Sequence, residues 1–179
     1  MTEREIKETA EKAAEERLFC SLLCKFEYEP RHILPLKVSE GLFLSAIESG
    51  LGFDGYLVER FENVASLTAL PPEAGEFAAR KGLFDRLEVP PVETGSLQQV
   101  FAYLVGSGEC AEYELGAPGS REIEFGACRC TDCDGNGFYA IRFASDLSRD
   151  RSPVFIPYSS LVRLTFGTRA LKRYGKYVR

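Results

Sequence analysis

The chain has 179 residues, 45% of them hydrophobic and 27% charged, a globular composition that excludes disordered and fibrous classes. Its net charge of −5 argues against a general polyanion binder, because phosphate neutralisation draws on clustered Lys and Arg. No apolar run reaches the roughly 18 residues of a membrane-spanning helix and the opening Thr2 to Glu8 is polar, so a soluble, cytoplasmic protein with six reduced cysteines and no membrane partner is expected.

Thr2-Glu3-Arg4-Glu5 has the form of a capping box, and the Ala/Glu/Lys-rich stretch that follows to Arg17 predicts a helix. From Leu18 the aromatic and apolar content points to a strand stopped by Pro30, then to extended runs over 33–47 (bent near Ser39-Glu40-Gly41), 56–61 and 64–69. The Gly-rich segment 50–55 supplies a turn, and residues 73–81 form a short helix closed by Gly82. Pro90-Pro91, within 87–93, marks a linker.

Ser96 then caps a second long helix, with Leu97, Val100, Phe101 and Leu104 on one face. Strands are expected over 110–115, 122–130, 138–143, 154–157 and 161–166, with a turn over 116–119 and a basic helix over 168–177. The halves share the order helix, strands, helix. Arg60 to Thr68 also aligns with Pro157 to Thr165 through an aromatic, a branched apolar residue, a Leu and a Thr. Two domains follow: 1–86, a helix with a first small β-barrel and a connector helix, and 92–179, a helix with a second barrel and a basic C-terminal helix.

Asp54-Gly55-Tyr56 with Arg60, and Ile156-Pro157-Tyr158 with Leu161 to Gly167 and Arg169, resemble the paired segments of a family of uncharacterised bacterial proteins. The resemblance covers most of the chain loosely. It implies an α+β, mainly β fold of two tandem SH3-like or Sm-like barrels, each preceded by a helix, and it implies no activity and no site residues. Where that pattern has an apolar strand, this chain has Cys128-Arg129-Cys130-Thr131-Asp132-Cys133.

Cys130 and Cys133 form a CxxC pair, to which Cys128 adds a third sulfur. A structural zinc site would need a fourth ligand such as Cys110 or the single histidine, His32. The plain alternative is burial, since Cys128 and Cys130 share one face of a strand as small hydrophobes. Asp132 to Gly137 imitates the start of a calcium loop but places Phe143 where the closing Glu belongs, so Asp134 to Gly137 reads as a hairpin turn. His32 has no nucleophile motif near it, and no phosphate loop appears.

After Asp150 the chain carries no acidic residue, and Tyr158, Arg163, Arg169, Lys172, Arg173 and Tyr174 make the candidate binding surface. The reading is a non-enzymatic interaction module without a cofactor, binding a protein partner or, as second choice, RNA. The alternative is a zinc- or thiol-dependent protein centred on Cys128, Cys130 and Cys133. Self-association through open strand edges fits either.

Overall fold

A computed structural model describes residues 1–50, 52–116, 122–144 and 148–177. The chain divides into two compact units, Met1–Pro90 and Pro91–Arg179.

In the first unit, helix α1 (Glu3–Glu16) starts on a complete capping box: Thr2 Oγ1 accepts from the Glu5 amide, and the Thr2 amide donates to Glu5 Oε2 at 2.7 Å. It ends at Arg17 in the left-handed region (φ 54°). Strands β1 (Cys20–Cys24), β2 (Arg31–Val38), β3 (Leu42–Glu48), β4 (Phe53–Arg60) and β5 (Val64–Ala69) follow, with a 3-10 turn at Phe61–Asn63 between the last two. They pair antiparallel in the order β5-β1-β2-β3-β4.

The pleat turns Cys20, Leu22, Cys24 and Ile33 to one face, where they bury Ile6, Ala10 and Ala13 of α1. Phe19, Leu34 and Ala46 point to the other face and pack on Ala78 of helix α2 (Glu73–Arg80) and on Leu83 and Phe84 beyond it. Each fully buried Leu or Phe among these stabilises the fold by about 1.5–3 kcal/mol.

The second unit repeats this plan. Helix α3 (Leu97–Ser107) is capped by Ser96 Oγ, which accepts from the Gln99 amide, and is closed by Gly108 at φ 67°. Strands β6 (Cys110–Gly116), β7 (Ile123–Cys133), β8 (Gly137–Phe143), β9 (Val154–Pro157) and β10 (Leu161–Phe166) pair antiparallel in the order β10-β6-β7-β8-β9, and a 3-10 turn at Tyr158–Ser160 joins β9 to β10.

Phe101 of α3 stacks on Phe138 at 3.9 Å. On the opposite face, Leu171 of helix α4 (Arg169–Tyr177) packs with Cys110 and Phe143 and against Ala127 and Ile141. The Asp134 turn is a hairpin: Asp134 Oδ1 accepts from the amides of Asn136 (2.7 Å) and Gly137 (3.0 Å), and the Asp134 amide donates to the Gly137 carbonyl.

The expectation of two tandem small SH3-like or Sm-like barrels is corrected by this topology. Closing a barrel requires hydrogen bonds between the end strands of the order. Among the described residues no ladder joins β4 to β5, or β9 to β10. The physical reason lies in the burial pattern. In each unit apolar side chains on both faces of the sheet are covered by helices, whereas a barrel of this size has a single interior. The sequence turn at 116–119 falls largely outside the described residues.

Candidate binding groove

A groove of about 410 Å³ opens on the face of the second unit that carries α4. Register builds its floor: Thr165 on β10 stands opposite Glu112 on β6, Glu112 opposite Ala127 on β7, and Ala127 opposite Phe143 on β8. Direct cross-strand partners share a face, so these four side chains form one row across four strands. The next row runs Arg163, Glu114, Phe125.

Small Ala127 and Thr165 leave the depression, and Phe125, Phe143 and Tyr174 of α4 supply its aromatic walls. Phe125 is 72% exposed, far more than an aromatic ring in a strand would be if it only filled a core. Glu112, in the neighbouring row, is exposed as well. The Glu114 carboxylate is held by Arg163 Nη1 at 3.3 and 3.4 Å.

The residues singled out in the basic C-terminal segment therefore separate. Arg163 is 1% exposed and paired with Glu114. Tyr158 is half-buried in the 3-10 turn, with its ring 5.4 Å from Phe101 and 6.3 Å from Phe138, and burial raises its hydroxyl pKa. Arg169, Lys172 and Arg173 are exposed on α4, and Tyr174 lines the groove. Glu112, Phe125, Phe143 and Thr165 had no motif to announce them. The only trace in the sequence is that Phe125 and Ala127 share one parity of β7.

The cysteines also separate. Ala111 pairs with Cys128 and Cys110 with Arg129, so the pleat sends Cys110 to the face opposite Cys128 and Cys130. Arg129 Nη2 donates toward Cys110 Sγ at 3.9 Å, and the Cys133 thiol points to the Gln98 carbonyl at 3.7 Å. The hydrogen bond with Cys130, followed by burial, pushes the Cys128 thiol well above its ordinary pKa. Burial, then the Asp132 charge, raises that of Cys133. Protonated thiols are poor nucleophiles. Among the described residues no group of three or more His, Cys, Asp or Glu side chains is disposed to hold a metal ion.

Among the described residues no helix is long and apolar enough to cross a membrane. Set against family models, curated proteins and solved structures, the chain matches none, so the chemistry of the groove is the guide to function.

Proposed function

We propose that the protein is a non-enzymatic interaction module whose groove on the second unit receives a cationic side chain of a protein partner. The observation that carries this is the exposed Phe125 ring in a groove that the Glu112 side chain also lines, with space left by the small side chains of Ala127 and Thr165. An ammonium or guanidinium group gains from an aromatic face and from a carboxylate at once, whereas an anion would meet both unfavourably. Phe143 and Tyr174 extend the aromatic wall along which the aliphatic stem of a Lys or Arg would lie. The six free cysteines suit a reducing compartment, and the cytoplasm is the proposed location.

The test is fluorescence anisotropy with labelled peptides that differ only in carrying a central Lys, Arg, Glu or Ala. The Lys and Arg peptides are expected to bind in preference to the other two. Phe125→Ala and Glu112→Gln should each weaken that binding by about tenfold, with thermal unfolding confirming that each variant is folded. Equal binding of the Glu peptide, or preferential binding of an oligonucleotide, would overturn the reading in favour of the exposed cations of α4.

A further inference from the structure

A second site lies in the first unit. The register of its sheet lines up Thr68, Ser21, His32, Glu48 and Phe53 across β5, β1, β2, β3 and β4 as successive cross-strand partners. The Ile33–Ile47 pairing fixes His32 opposite Glu48. This polar row runs beside the apolar row of Phe19, Leu34 and Ala46, which α2 covers. Where the two rows meet under the edge of α2, a pocket of about 230 Å³ opens, with His32 and Glu48 at its rim and Phe19 and Phe53 in its wall.

The rim is organised rather than merely polar. Glu48 Oε1 accepts from the Gly50 amide at 3.0 Å, which fixes the carboxylate, and Glu48 Oε2 faces His32 Nδ1 at 3.4 Å. The Nδ1 side of the ring is thus turned to a carboxylate, and Nε2 is the nitrogen left as acceptor for a ligand. His32 is half exposed, so that acceptor is open to a ligand. The wall is flat and aromatic: the Phe19 and Phe53 rings stack at 5.8 Å with 12° between their planes.

We infer that this pocket binds a small single-ring aromatic molecule carrying one hydrogen-bond donor, the class represented by a phenol. An apolar cavity of about 150 Å³ accommodates benzene, so this volume takes one ring and a few further atoms. The ring lies against the phenylalanines and the donor reaches His32 Nε2. An aryl carboxylate is disfavoured because its charge would face Glu48.

The experiment is ligand-observed NMR and calorimetry on the full chain with 4-methylphenol, and with toluene as the isostere that lacks the donor. The expected result is one site per chain with 4-methylphenol about five- to tenfold tighter than toluene. His32→Ala should bring the phenol to the level of toluene. Ala74→Phe, at an exposed position of the pocket wall, should abolish binding of both. No binding of either compound, an unchanged preference in His32→Ala, or unchanged binding in Ala74→Phe would overturn the assignment. Because the groove variants Phe125→Ala and Glu112→Gln lie in the other unit, failure here leaves the peptide reading standing, and the reverse also holds.

Discussion

At Gly126 a Cβ would meet the Tyr113 ring, which lies across the backbone of β7 from its partner position on β6. Tyr113 is 2% exposed and packs at 6.4 Å from Phe138, so it has no free space into which to swing. Gly126→Ala is expected to destabilise the second unit by about 1–3 kcal/mol, the usual scale of overpacking, measured by urea unfolding. At the start of α1, Thr2→Ala removes the side-chain acceptor of the capping box and should cost about 1 kcal/mol.

The same box makes a pH prediction. The Thr2 backbone amide, and then its hydroxyl, hold the Glu5 carboxyl below its ordinary pKa. A depressed carboxyl pKa contributes stability above the unfolded value and loses it as the pH falls through the folded one. The stability gap between the native chain and Glu5→Gln should therefore be present at neutral pH and close in acid. Thiol titration gives a third check at this scale. Cys20, whose pKa burial pushes up to about 11, and buried Cys24, Cys110, Cys128 and Cys130 should stay unreactive in the folded protein, half-buried Cys133 should react first, and all six should react in denaturant.

At the scale of elements, the local signals in the sequence placed the helices and strands well. The capping box, Ser96 and the Asp134 turn are short-range features whose chemistry acts on their own backbone, and each does so in the structure. The Arg60–Thr68 likeness to Pro157–Thr165 marks the same device twice, a 3-10 turn between the last two strands of a unit. Barrel closure was not legible, because it depends on which end strands meet. The sequence pattern reports only that a strand has an apolar side.

The groove was illegible for a related reason. Its floor joins Glu112, Ala127, Phe143 and Thr165, residues brought into one row by the register of four strands, and no spacing along the chain encodes that row. Arg163 shows the converse error of reading charge as exposure. The pleat of β10 turns it to Glu114, so it acts as an internal partner and not as part of a basic surface. Arg163→Met is accordingly expected to destabilise the second unit by about 3–5 kcal/mol, since it leaves the Glu114 carboxylate without this cation. Urea unfolding followed by tyrosine fluorescence would measure it.

Across the molecule, one five-stranded plan is used twice, with the last strand of each unit beside the first and a helix entering each sheet. The two copies present different chemistry. The first sets an imidazole and a carboxylate over an aromatic pocket, and the second sets an exposed ring and a carboxylate over a shallow groove. In both copies the backbone supplies the register, and the residues of the rows differ.

The most direct measurement is amide chemical-shift mapping of the full chain titrated with a Lys-containing peptide. Binding in the groove predicts shifts concentrated on β6 and β7 around Glu112 and Phe125 and at Tyr174 of α4, reaching saturation and lost in Phe125→Ala. Shifts confined to Arg169, Lys172 and Arg173, obtained with an acidic peptide or an oligonucleotide and absent with the Lys peptide, would contradict it.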